Sequence, residues 1–232
     1  LYLITDLLVF ESKYTMNQYS KKIEGKSDKY RLNYNAIELK SDFSSLECRN
    51  IDPSGKILIG AFGALRFIKG HDVLIHSVAK LRLKGYDIFL KIYGEGEEEE
   101  NLKKLATFCK IEEFVKIESK TSSVDKEMSH CHIVAHPSRF ESFGYVPLEA
   151  ISNGVTVVST LSGGLSEVMD KGKSGFCPND VCEKSFEIKL EEAINMHDLR
   201  REKFAHAIQH ITTNFSNLVF LKRLKTIYEE LL

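Results

Sequence analysis

Residues 132–160, "HIVAHPSRFESFGYVPLEAISNGVTVVST", decide how this chain folds. "HIVAHPS" (132–138) and "VTVVST" (155–160) are short, β-branched, apolar runs. Both read as buried strands. The spacing predicts a helix over 145–153 between them. Pro147 is tolerated only in a first helical turn, where its missing N–H leaves no bond unmade. The helix therefore starts near Gly144 to Val146, with its free N–H groups outward. Strand, helix and strand in so short a span make a right-handed βαβ unit. Two glutamates, Glu141 and Glu149, flank a turn otherwise built for packing.

The same rhythm extends outward. "KILIGAFGAL" (56–65), "YDIFLKIYGEG" (86–96) and "EFVKIES" (113–119) read as strands. "GHDVLIHSVAKLRLKG" (70–85) places Val73, Leu74, Val78 and Leu81 at helical spacing, with Gly85 as its stop. "EEEENLKKLATFCK" (97–110) is a second helix and a short one falls near 123–129. Helices follow at 183–196, 198–213 and 215–231. The fold class is α/β, a Rossmann-like parallel sheet with helices on both faces. In such sheets ligands sit beyond the carboxyl ends of the strands.

The first 55 residues differ. "DLLVFES" (6–12) suits a strand, "KYTMNQYSKK" (13–22) a helix and "YRLNYNAIE" (30–38) another strand, whereas 39–55 is polar and ends in Pro53 and Gly55. Residues 1–38 are expected to be the tail of a preceding domain and 39–55 a linker. The main unit would span 56–213, followed by a C-terminal helix over 214–232. The first residue is Leu, so the chain is expected to be part of a longer protein.

Composition excludes several classes of function. A net charge of −1 offers no field for nucleic acid, and no apolar run reaches the roughly 20 residues of a membrane span. The opening "LYLITDLLVF" lacks a basic leader and carries Asp6, which speaks against a signal peptide. Five cysteines without scaffold spacing read as free thiols of a reducing cytosol. His130 and His132 lack a carboxylate cluster, and His206 and His210 lack the glutamate of a zinc-protease motif, so all four read as packing or surface residues.

Three strand ends carry candidate chemistry. In "GALRFIKGHD" (63–72), Arg66 and Lys69 stand at a strand-to-helix junction, where two cations and a helix N-terminus make an anion site. In "GEGEEEEN" (94–101), the glutamates suit a helix start but would repel a pyrophosphate. The segment lacks the glycine fingerprint of a dinucleotide-binding dehydrogenase. In the 138–150 turn, Glu149 is one turn into the helix and can reach back toward its mouth. Glu141 lies in the preceding loop. Both carboxylates and the free amides would face one pocket suited to sugar hydroxyls. Gly163 and Gly164, after the next strand, allow close backbone approach to a ligand, and Ser166 and Glu167 open another helix start.

In this order the motifs resemble the retaining glycosyltransferases of family 4 (glycosyl transferases group 1), which have the two-domain GT-B fold. "NYNAIE" (33–38) is similar to the family's inter-domain segment, with Asn35-Ala36 where the family has Asn-Gly. "GALRFIKGHDVLI" is similar to its phosphate-binding junction and "YGEGEEEENLKKLA" to its Gly-x-Gly helix start. The 136–160 stretch is similar to the signature E-x7-E block, and "SGGLSEVMDKGKSGF" follows it.

The resemblance implies that Glu149 binds nucleotide ribose and that Glu141 lies beside the donor sugar. It implies that the amides of Phe143 and Gly144 contact sugar or phosphate and that Lys69 contacts the diphosphate. Ser142, Tyr145 and Gly63 complete the implied donor-binding set. The family often has Arg directly after the glycine matching Gly63. This chain has Ala64 there, and Arg66 is read as the substitute. Glu141, Lys69 and Arg66 are thus the expected catalytic residues, acting on a UDP- or GDP-sugar without a metal ion. The expected acceptor is a saccharide or lipid-linked molecule held by the N-terminal domain, in cytoplasmic polysaccharide biosynthesis. A GT-B sugar-nucleotide epimerase and a non-catalytic nucleotide-sugar-binding module are the alternatives. Residues 218–232 are read as a packed helix, with peripheral contact at the cytoplasmic membrane face as the other reading.

Overall fold

The computed structural model describes residues 5–22, 27–40 and 42–231. The remaining residues of the expected tail, together with Ser41 of the expected linker and Leu232 of the terminal helix, lie outside the described residues. The sheet holds five parallel strands in the order β5-β4-β3-β6-β7. They are β3 (Ile57–Phe62), β4 (Ile88–Tyr93), β5 (Val115–Glu118), β6 (Ile133–His136) and β7 (Thr156–Ser159). The crossovers are α2 (His71–Leu83), α3 (Glu99–Phe108), α4 (Val124–His130) and α5 (Tyr145–Ser152), and each sequence-predicted strand and helix is found. A four-residue α6 (Leu165–Val168) precedes α7 (Glu183–Asn195), α8 (His197–Asn214) and α9 (Asn217–Glu229).

Burial explains the strand composition. All four residues of β6 and of β7 are buried, as expected of strands packed on both faces. One core cluster joins Ile57, Ile59, Leu74, Val78 and Leu90 to Phe186 and Leu190 of α7. A second joins Val134, Val157, Leu148 and Ile151 to Phe204 and Ile211 of α8. Each fully buried aliphatic side chain contributes about 1.5–3 kcal/mol. Coverage thins toward the β5 edge, where Leu58, Phe89 and Lys91 line an open cleft of about 390 Å³ with Phe114 and His132. His132 is a packing residue there, its Nδ1 accepting the Leu58 N–H at 3.0 Å.

The register aligns the ends that matter: Phe62 pairs with Tyr93, and His136 with Ser159. The first expected strand shortens to β1 (Leu8–Phe10) and the second to β2 (Tyr30–Leu32), a separate parallel pair. Between them α1 (Lys13–Lys22) starts at buried Ser12, whose Oγ accepts the Thr15 N–H at 3.1 Å. The polar stretch 39–55 still buries Phe43 and Ile51, so it packs along the main unit. Helix α9 returns to the first segment: Arg31 meets Glu230 at 2.5 Å, and Asn33 Nδ2 donates to the Phe220 carbonyl. All five cysteines are free. No described helix is long and apolar enough to cross a membrane.

Candidate functional site

The carboxyl ends of β3, β4 and β6 open into loops pressed together by glycine. A Cβ on Gly94 would stand 1.9 Å from the Gly63 carbonyl oxygen, and one on Gly96 would stand 2.4 Å from that of Leu65. The Gly-x-Gly pair thus lets the loops after β3 and β4 touch, joined by Leu65 N–H to the Glu95 carbonyl at 2.9 Å. Gly163 and Gly164 act alike on the other side. Cβ atoms there would meet the carbonyl oxygens of Glu141 and Ser142 at 2.0 and 2.2 Å. Their close approach is to the 141–143 loop, where a ligand was the expected neighbour.

A cleft of about 380 Å³ lies at this edge, lined by Phe62, Gly63, Ala64, Tyr93, Lys120 and Glu149 among others. The rings of Phe62 and Tyr93 stack 4.9 Å apart at 7°. Tyr93 Oη donates to Glu127 at 2.5 Å. Glu149 behaves differently. Its carboxylate has no hydrogen-bond or ionic partner among the described residues, and burial, aided by the charge of Asp125, pushes its pKa up. A desolvated carboxylate without partners is set to accept hydroxyl donors.

Glu141 occupies a second compartment. Its Oε1 receives Lys69 Nζ at 2.5 Å, Ser138 Oγ at 3.2 Å and faces His136 Nε2 at 3.0 Å. Burial alone would raise this carboxyl, but hydrogen bonds and charge from His136 and Lys69 outweigh it and hold it at about 2. The two glutamates share the sheet edge, yet Glu141 is absent from the lining of the Glu149 cleft. Between them lies Gly144, at φ 107°, with Leu165 Cδ2 where a side chain would go. The N–H groups of Phe143 and Gly144 donate to no acceptor among the described residues. Phe143 itself is buried and packs edge-on against Phe215, while Ser142 and Tyr145 are exposed.

The structure separates the two expected cations. A 3-10 turn over Phe67–Lys69 ends in left-handed Gly70, which lies against the Pro137 carbonyl. This turn directs Lys69 inward to Glu141, whereas Arg66 stays on the surface, 3.5 Å from Glu97. The loops are clamped by Arg139, whose guanidinium meets both oxygens of Asp72 at 2.8 and 2.7 Å and the Phe67 carbonyl at 2.7 Å.

Sequence reasoning missed several members. His136 is the last residue of β6 and Ser138 lies just beyond it, and Lys120 and Thr121 follow β5. The rule that ligands gather at strand ends points to all four. Glu167 reads in the sequence only as part of a helix start. Its carboxylate accepts the N–H groups of Lys13 and Tyr14 at 2.9 and 2.8 Å and the Tyr34 hydroxyl at 2.7 Å, tying α1 to this edge. Ser12 Oγ donates to the Ser142 carbonyl at 2.8 Å beside it. His206 and His210 are half-buried rather than surface residues, bonded to Asp170 at 2.8 Å and to the Glu167 carbonyl at 2.9 Å.

The profile of the family described as Glycosyl transferases group 1 matches residues 48–210. An uncharacterized glycosyltransferase of Haemophilus influenzae is 34% identical over 138 residues, 59% of this chain and 37% of that protein. The capsular polysaccharide biosynthesis glycosyltransferase CapM of Staphylococcus aureus is 25% identical over 99% of this chain and 59% of its own length. Among solved structures, Anabaena Alr3699/HepE in complex with UDP and glucose superposes with a TM-score of 0.81 at 20% identity. That match covers 98% of this chain and 63% of the Anabaena chain. The chain therefore spans 37% to 60% of the length of the curated relatives it matches first.

Proposed function

The chain belongs to the glycosyl transferases group 1 family, and from that premise we propose that it forms the donor-binding part of a retaining glycosyltransferase. The whole protein would move a sugar from a nucleoside diphosphate to a saccharide or lipid-linked acceptor. The observation that carries this reading is the Glu149 carboxylate, half-buried and unpaired in a cleft at the carboxyl end of the sheet. Two vicinal ribose hydroxyls supply the two donors such a carboxylate lacks. The Phe62–Tyr93 wall then gives the base an apolar neighbour.

From there the diphosphate extends toward the 142–144 loop. The free amides of Phe143 and Gly144 and the ammonium of Lys69 stabilise the negative charge that develops as the sugar–phosphate bond breaks. Arg66 adds long-range attraction from the surface. This group of donors takes the part a metal ion plays elsewhere. Glu141 sits beside the sugar as a permanent carboxylate. It favours the positive charge that grows on the anomeric carbon, and retention follows from attack on the face the diphosphate leaves. The UDP and glucose of the Anabaena complex support a UDP-sugar as the first donor to try.

The experiment is a transfer assay on the full-length protein with UDP- and GDP-sugars and glycan or lipid-linked acceptors, with the product anomer read by NMR. Release of nucleoside diphosphate and a product of unchanged anomeric configuration are expected. An inverted product would overturn retention. Failure of every nucleoside diphosphate to bind would overturn the site.

A further inference from the structure

Helix α1 lies outside the 48–210 stretch that matches the family, yet its start is fastened to the donor edge at three points. The Glu167 carboxylate holds the Lys13 and Tyr14 amides, two of the N–H groups that the start of a helix leaves open. The Tyr14 ring meets Phe140 edge-on at 5.7 Å. Ser12, fully buried, sends its hydroxyl proton to the Ser142 carbonyl at 2.8 Å, across 130 residues of sequence.

Both capacities of that hydroxyl are used. Its oxygen accepts the Thr15 N–H at 3.1 Å and so caps α1. Thr15 Oγ1 also stands 3.0 Å away, but its own proton goes to the Ser12 carbonyl. The Ser142 carbonyl is the nearer acceptor and has no other donor among the described residues. Capping α1 asks only for the Ser12 oxygen. The donated bond serves the 141–144 loop instead.

The Ser142 carbonyl belongs to the same peptide unit as the Phe143 N–H. No described peptide bond is cis, and in a planar trans unit the C=O and N–H point in opposite directions. Fixing the oxygen therefore fixes the line along which the N–H donates. A hydrogen bond accepted by the carbonyl also polarises the unit and strengthens donation from its nitrogen. Gly164 closes on the same oxygen, leaving the peptide little room to turn.

We propose that Ser12 is a positioning residue of the transfer reaction, aiming the Phe143 N–H at the departing diphosphate. The role rests on the donor-site reading above, in which that amide meets the charge that develops as the sugar–phosphate bond breaks. Ser12 acts through the Ser142–Phe143 peptide rather than on the substrate.

The test compares Ser12→Ala with Thr15→Val in the full-length protein, using the UDP- or GDP-sugar that the wild type turns over. Both variants loosen the start of α1 and lower the melting midpoint by a few degrees. Only Ser12→Ala frees the Ser142 carbonyl. It should lower kcat about 10-fold, short of the roughly 100- to 1,000-fold cost of losing such a donor outright, with donor KM and UDP or GDP affinity within about threefold. In protein labelled with heavy nitrogen at phenylalanine, the Phe143 amide resonance moves upfield, because the bond on the preceding carbonyl no longer deshields it. Thr15→Val leaves kcat and that resonance in place. An unchanged kcat in Ser12→Ala, an unmoved Phe143 resonance, or a loss of kcat shared equally by Thr15→Val reduces Ser12 to a helix cap and overturns the proposal. A wild type that binds no nucleoside diphosphate overturns the donor-site reading itself, and this role with it.

Discussion

Lys69 Nζ stands 2.5 Å from Glu141 Oε1, joining the loop after β3 to the loop after β6 across 72 residues of sequence. Both side chains are largely buried, so solvent screens the pair little. A diphosphate entering this edge competes for the same ammonium. Lys69→Ala should therefore weaken nucleoside diphosphate binding by about 10- to 100-fold, the loss of one charge-assisted hydrogen bond. Glu141→Gln should leave that binding within a few-fold and lower the transfer rate instead. Calorimetry and turnover on the same preparations check both. Equal loss of binding in the two variants would contradict the division of roles.

The Glu149 carboxylate has no partner among the described residues, so removing it should cost the fold little and the ligand much. Glu149→Ala is expected to reduce UDP or GDP affinity by roughly 10- to 100-fold. With a 2′,3′-dideoxynucleotide the variant and the wild type should bind alike, because the hydroxyls that report the carboxylate are gone. Titration of both ligands against both proteins reads this directly.

The glycine pair at 163–164 has no room for a side chain. Gly163→Ala places a methyl 2.0 Å from the Glu141 carbonyl oxygen and strains a backbone at φ 64°. A loss of about 1–3 kcal/mol is expected. Nucleotide affinity should fall as well, at temperatures where the variant stays folded, since the displaced loop carries the Phe143 and Gly144 amides. Circular dichroism melts and calorimetry separate the two effects.

Acid sensitivity should come in two stages. His71 is buried, and neither ring nitrogen has a hydrogen-bond partner among the described residues. Burial first, then repulsion from His136, brings its pKa from 6.5 down to about 4. The unfolded chain binds this proton more readily, so stability is whole above pH 6.5 and is lost as pH falls toward 4. Glu141, at about 2 against a usual 4.5, adds a second loss as pH falls from 4.5 through 2. His71→Phe should flatten the first stage, worth about 2–3 kcal/mol, and spare the second. Urea unfolding at pH 7, 5.5 and 4 measures it. An unchanged slope between pH 6.5 and 4 would rule out His71 as its source.

Local pattern was enough for the architecture. Periods of two and 3.6 place the strands and helices of the main unit within a few residues, because burial of one face imposes them on the chain itself, whereas the strand expected over 30–38 stops at Leu32. Pro147 marks the first turn of α5, and the strand-end rule leads to the loops 63–72 and 138–150. Pairing across the fold was beyond such reading. Arg66 and Lys69 are equal candidates in the sequence, three residues apart at one junction. Only the packing of the 67–70 turn against Pro137 decides that Lys69 turns inward and Arg66 outward. Likewise, nothing near Glu167 announces that it will hold the Lys13 and Tyr14 amides, more than 150 residues away. Spacing along a chain reports which face a residue occupies. Which group it meets there depends on loops brought together only when the sheet closes.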